Sequence, residues 1–300
     1  MRALTADPSV SLVDEPDNEG QTVSAIWAKR RLGRYPVLMD DVEDERYRHL
    51  WDWATRGAPS TRRLVAAGWL LNSVPHAARA RYYQGRWSPR MRVAGMLGAH
   101  PPLGRVATGP PGRLLVKSVH APLALEWLTR TYDFDVLVLL RHPANVLASW
   151  IDLDLTDQFA RVEDHPAIRR RIDSTSSSIP PRGDDPVGRM VWMIGLLTLA
   201  LEEAAVRHPS WTVRVHEELC LDPLLQFRRL FEDLGLPWAV EVEEFLVAND
   251  RPGSGFAVSR VASDAPEAWK TRLTTEQVET LQRVLAGFPL TRWSAEDYVP

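Results

Sequence analysis

Arg141 ends an apolar run, VLVLL, and is followed at once by His142 and Pro143 and, eight positions on, by Ser149. A buried strand gains nothing by ending on a fixed cation, so the guanidinium needs a partner. At the carboxyl end of a strand in an open parallel sheet, ahead of a helix whose first turn offers free N–H groups, a guanidinium brings two parallel donors. A serine hydroxyl brings a third, and together they could clamp a phosphate. The same spacing also allows Arg141 to cap a neighbouring helix or to pair with an aspartate.

The strand-end rule collects three more places. Glu15 follows VSLVD, Lys117 to His120 follow RLLV, and His216 to Glu218 follow WTVRV. Glu15 is the first candidate for a general base and His120 the second, since both types accept a proton over one hydrogen bond. Lys117 could stabilise a developing negative charge or neutralise a carboxylate at the sheet end. Strand alternation points Asp14 away from Glu15 and turns His142 away from Arg141, which leaves His142 a structural role. Trp127, Trp150 and Trp192 sit at helical spacing among apolar residues and read as core, whereas Trp27 could meet a ligand. No His-Glu-x-x-His spacing or comparable ligand set occurs, so no metal is expected.

These residues need elements to hold them. Strands are predicted over VSLVDEP (10–16), RLLVKSV (113–119), DFDVLVLL (133–140) and WTVRVHEEL (211–219). Helices are predicted over residues 40–57, 61–74, 121–132, 143–155 and 187–206. Asp222 is placed to cap the helix of DPLLQFRRLFEDLGL and Gly235 to end it. Thr274 and Gln277 have the spacing of a capping box. Residues 173–185, DSTSSSIPPRGDD, read as a mobile loop, and Pro75 to Pro111 as surface segments. Alternating strands and helices imply an α/β fold, a mostly parallel sheet with helices on both faces, built as one domain over residues 1–300.

Composition bounds the partners. A net charge of -3 over 300 residues argues against a nucleic-acid binder held by a broad basic surface, so any anion site is local. Cys220 is the single cysteine, which rules out an intrachain disulfide. No window resembles a membrane span or a signal peptide, and the expected location is cytoplasmic.

The run LLVKSVHAPLALEWLTRTYDFDVLVLLRHPANVLASW resembles the middle of sulfotransferases that use 3′-phosphoadenosine 5′-phosphosulfate (PAPS). There a strand ends in Arg-x-Pro and a serine follows eight residues after the arginine, and Arg141, Pro143 and Ser149 match that motif. The resemblance implies a P-loop-kinase-like fold, PAPS as sulfuryl donor without a metal, and Arg141 and Ser149 on its 3′-phosphate. WTVRVHEELCLDPLLQFRRLFEDLGLPW is similar to a downstream family segment, with His216 where a tyrosine is usual. The basic loop that some members close over the phosphate is echoed by RPGSGFAVSR, with Arg251 and Arg260. Glu15 resembles a glutamate that some sulfotransferases place at this strand end. His120 resembles a histidine of many cytosolic members, one residue further from the lysine. The acceptor the resemblance implies is a hydroxyl or amine of a small molecule, carbohydrate, lipid or peptide.

The family's 5′-phosphosulfate loop is expected just before Met1. Residues 107–118, ATGPPGRLLVKS, are too weak a P-loop match to replace it. Either Met1 is an internal methionine or the chain is truncated with impaired transfer, and a missing central strand would leave an unpaired apolar strand edge. A non-catalytic relative that keeps the 3′-phosphate site is the main competing reading; a nucleotide kinase would require a glycine-rich Lys-Ser or Lys-Thr loop.

Overall fold

The computed structural model describes residues 2–7, 9–19, 23–38, 43–56, 113–155, 162–173, 179–253 and 261–299. The helix expected over 61–74, the Pro75 to Pro111 segments, the glycines of the P-loop-like stretch and Arg260 lie outside these residues. The chain divides into two compact units, Met1–Trp127 and Leu128–Pro300.

In the first unit β1 (Val10–Asp14) is followed by α1 (Val23–Ala28), α2 (Glu45–Arg56) and β2 (Arg113–Lys117). The strands run parallel in register from Val10↔Arg113 to Asp14↔Lys117, which brings their carboxyl ends side by side. Helix α2 starts where the Asp44 carboxylate accepts from the Arg46 and Tyr47 N–H groups at 3.0 and 2.9 Å. Its buried residues, Tyr47, Leu50, Trp51 and Ala54, recur at helical spacing and form one apolar stripe. Helix α3 (Leu125–Thr131) follows β2 after a 3₁₀ turn and carries the chain across the unit boundary.

The second unit opens with β3 (Leu137–Leu140), α4 (Pro143–Asp152), α5 (Pro166–Asp173) and α6 (Pro186–Arg207). It continues with β4 (Thr212–Val215), α7 (His216–Leu221), α8 (Pro223–Asp233), α9 (Val240–Asn249) and α10 (Thr275–Leu285). β3 and β4 are parallel, from Leu137↔Thr212 to Leu140↔Val215. Helix α6 is buried on nearly every side from Met190 to Leu199, as expected of a helix apolar all round. Gly195 lets it approach Phe288: a Cβ there would stand 2.7 Å from the ring.

The caps follow the sequence. Asp222 accepts from Leu225 N–H at 3.1 Å, Gly235 ends α8 at φ +58°, and Thr274 and Gln277 form the capping box of α10. All four strands are shorter than expected: β1 ends at Asp14, β2 ends at Lys117, β3 begins at Leu137, and β4 runs only from Thr212 to Val215, after which His216–Leu221 is helical. The β-branched run ends there and Glu217, Glu218 and Leu219, good helix formers, take over. Of residues 173–185, Asp173 closes α5, Ile179 is buried, the Pro180 carbonyl accepts from Trp192 Nε1 at 2.6 Å, and Asp185 caps α6.

The architecture is α/β, with helices and two parallel strand pairs, and each strand has a single strand neighbour among the described residues. Leu114 on β2 and Leu139 on β3 are 38% and 37% exposed. No helix among the described residues is long and apolar enough to cross a membrane.

Candidate active site

The ends of β1 and β2 gather the first cluster. Glu15 lies just past β1 at φ +50°, in the left-handed region that costs a non-glycine residue about 1 kcal/mol. That turn breaks the strand alternation, so Asp14 and Glu15 both reach Lys117. Asp14 Oδ1 stands 3.3 Å from Lys117 Nζ, while Glu15 Oε1 accepts a hydrogen bond from it. The expectation that Asp14 points away from Glu15 is therefore corrected. Asn18 Nδ2 donates to the other Glu15 oxygen. Burial pushes the Glu15 carboxyl up, but the bonds from Lys117 and Asn18 together with the Lys117 charge hold it below its ordinary value. Burial likewise pushes Lys117 down, and Glu15 and Asp14 reverse that and raise it. At neutral pH this is an ion pair with both Glu15 oxygens occupied.

Behind it lies a buried network that the sequence did not reveal. Asp17, Glu19, Lys29 and His120 are each 1% exposed or less. Lys29 Nζ donates to Asp17 O and stands against Glu19 Oε1, both at 2.8 Å, and lies 3.1 Å from His120 Nδ1. Glu19 Oε2 is 3.2 Å from the same ring nitrogen. The Asp17 carboxylate accepts from Tyr47 OH at 3.1 Å and from Ser118 Oγ at 2.7 Å. Tyr35 meets the His120 ring edge-on, and His120 Nε2 is enclosed without a hydrogen-bond partner among the described residues. Lys29 and Glu19 are ten residues apart and His120 a further 91 from Lys29, so no local spacing marks the network. An ammonium and carboxylates this deep persist only because each neutralises another.

Trp27 lies on α1 with Arg46 stacked over its ring at 4.9 Å, in a small cleft shared with Ser24, His49 and Trp53. Trp127 and Trp192 are core, 2% and 0% exposed; Trp150 is half-buried.

The ends of β3 and β4 gather the second cluster. Arg141 follows β3 directly, is half-buried, and has its Nε enclosed without a hydrogen-bond partner among the described residues. Among the described residues no carboxylate forms an ion pair with it. Burial lowers its pKa, the Glu217 charge opposes that, and the nearby Arg272 charge adds to it. Glu217 is committed elsewhere: its carboxylate accepts from His142 N–H and from Asn145 Nδ2, both at 3.0 Å. It thus occupies the start of α4, and one N–H that a phosphate could have used is taken. His142 stacks on Trp269 with Nε2 3.1 Å from Asp297 O, and its pKa is lowered by burial, in keeping with a structural role.

Ser149 lies in the second turn of α4, about 9 Å along the axis from Pro143 at ~1.5 Å per residue. It shares a helix face with Asn145 and makes no hydrogen bond to Arg141 among the described residues. Arg251 is exposed beyond the end of α9. His216 opens α7, with Cys220 Sγ 3.9 Å from both ring nitrogens and Glu217 Oε1 at 3.8 Å. Hydrogen bonding to Cys220 and then to Glu217 raises it to about 9. Among the described residues no His, Cys, Asp and Glu group is arranged to hold a metal ion.

Comparison with known proteins places part of this chain. It is 34% identical over 91 residues to carbohydrate sulfotransferase 2 of mouse, and equally to the human protein. The match covers 27% of this chain and 17% of each relative, so the chain spans about a sixth of the length of the curated relatives it matches. It supports a sulfotransferase relationship for that part. No family model matches the chain, and no solved structure matches it.

Proposed function

We propose that this chain is a sulfotransferase of P-loop-kinase-like fold that moves a sulfuryl group from PAPS to a hydroxyl or amine of a small molecule, carbohydrate, lipid or peptide. The observation that carries the reading is Arg141, a half-buried guanidinium at the carboxyl end of a parallel strand with Nε enclosed and unpartnered among the described residues. A buried cation in that state fits an anion such as the 3′-phosphate. The partial likeness to carbohydrate sulfotransferase 2 supports it, as do two parallel strand pairs joined through helices.

The donor, when bound, supplies an activated sulfuryl group whose bond to phosphate breaks as the bond to the acceptor forms, with adenosine 3′,5′-bisphosphate as the other product. In such in-line transfers positioning and charge stabilisation dominate. Arg141 holds the 3′-phosphate, with Ser149 along α4 and Arg251 and Arg260 beyond α9 as further contacts. Lys117 offsets negative charge on the group in transfer. Glu15 takes the acceptor proton once Lys117 turns from the carboxylate toward that charge, and His120 is the second candidate for this step.

Isothermal titration of adenosine 3′,5′-bisphosphate into the chain and into Arg141→Ala tests the reading. The expected result is a loss of at least about tenfold in affinity, as for one charge-assisted contact. Equal affinity in both proteins would remove Arg141 from the site. A second reading, a binding protein that keeps the anion site without transfer, is favoured by one observation: both Glu15 oxygens are occupied and His120 is fully buried. Release of adenosine 3′,5′-bisphosphate from PAPS across a panel of acceptors separates the two, since only the enzyme turns over.

A further inference from the structure

Residues Leu140 and Val215 are partners in the β3–β4 ladder, and each is the last residue of its strand. The residues that follow them, Arg141 and His216, therefore emerge next to one another at the carboxyl edge of the second unit's sheet, about one strand spacing of ~4.8 Å apart. His216 is half-buried there, with Cys220 at 3.9 Å on one side and Glu217 at 3.8 Å on the other. Held by these two, it is a cation at neutral pH, raised to about 9, and its charge and that of Arg141 repel. Arg272, anchored by Asp152 at 2.6 Å, adds a third positive charge that acts on Arg141.

Glu217 is the carboxylate closest to this group, and its single negative charge offsets one of the two positive charges of Arg141 and His216. Its two oxygens also accept from His142 N–H and Asn145 Nδ2 at the start of α4. Two neighbouring strand ends thus present two positive charges against one carboxylate, and one guanidinium nitrogen enclosed without an acceptor among the described residues. Like charges crowded in a partly buried site destabilise the fold unless an anion offsets them.

We propose that His216 stands beside Arg141 as a second cationic ligand of this site, so that it takes a doubly charged phosphoryl group in preference to a singly charged anion. The inference rests on the reading of Arg141 as an anion ligand. It assigns His216 a charged role.

The test uses the full chain and two probes, inorganic phosphate and adenosine 3′,5′-bisphosphate, titrated at neutral pH into wild type, His216→Gln, His216→Tyr and His216→Lys. Both probes should bind roughly tenfold more weakly to the Gln and Tyr variants, the loss expected for one hydrogen bond to a charged group. Affinity should return in His216→Lys, which restores the charge but not the ring. Equal affinity across wild type, Gln and Tyr, or no rescue by Lys, overturns the proposal, as does failure of wild type to bind either probe. If inorganic phosphate binds with this dependence on residue 216 and adenosine 3′,5′-bisphosphate binds no better, the PAPS reading falls while the role of His216 stands.

Discussion

Lys117 holds Glu15 and Asp14 at once. Removing its charge in Lys117→Met should destabilise the fold by about 1–2 kcal/mol at neutral pH. That lies between the ~0.5 kcal/mol of an exposed pair and the ~3–5 kcal/mol of breaking a fully buried one, since the side chains are 28% and 11% exposed. The pH range follows from the two shifts. Glu15 is lowered from 4.5, so its contribution is present above that value and is lost as pH falls through the folded value beneath it. Lys117 is raised from 10.5, so its contribution is present below that value and is lost as pH rises through the folded value above it. Urea denaturation at acid, neutral and strongly alkaline pH should show the gap between the two proteins only in the middle. A constant gap would mean that packing of the lysine stem sets the cost. Deeper in, Lys29→Met should cost about 3–5 kcal/mol because it strands Glu19, and Lys29→Met with Glu19→Leu should cost less than the single change. A double variant less stable than the single one would show that the pair itself stabilises the fold.

At the scale of elements, the helix boundaries were legible because caps are local chemistry. Asp222, Gly235 and the Thr274–Gln277 pair act within four residues of where they stand, and the structure uses each as the spacing suggested. Thr274→Ala should lower stability by about 1 kcal/mol in thermal or urea melts. The length of β4 was not legible, because VRVHEEL supports a strand by its first half and a helix by its second. Nor was the contact between α6 and the end of α10. Gly195 and Phe288 are 93 positions apart, and only the folded packing shows that any Cβ at 195 would press on the ring. Gly195→Ala should therefore destabilise by about 1–3 kcal/mol despite alanine's better helix propensity, through overpacking. A stabilised variant would show that Phe288 moves freely out of the way.

Across the whole molecule, strand ends made the candidate site residues visible and long-range charge pairing hid the buried network. Arg141, Glu15 and Lys117 could be picked out because an apolar run that stops on an ionisable residue is visible in the sequence. Asp17, Glu19 and Lys29 could not, because charged residues read as surface unless their partners are known, and here the partners come from four separate segments. The same contrast bears on the proposed anion site. With a net charge of -3 it has no general attraction for polyanions, while the second unit concentrates Arg141, His216 and Arg272 at one edge. A local, half-buried site is screened less than an exposed basic surface, whose contacts fade beyond a Debye length of roughly 10 Å at about 0.1 M salt. Affinity for adenosine 3′,5′-bisphosphate should therefore fall only severalfold between about 0.05 and about 0.5 M salt. Duplex DNA should not be retained in a gel-shift experiment at physiological ionic strength, where a phosphate-tracking surface would hold it. Tight retention of DNA together with a steep salt dependence for the bisphosphate would place the positive charge on an open surface, and the enclosed Arg141 would then not be what selects the ligand.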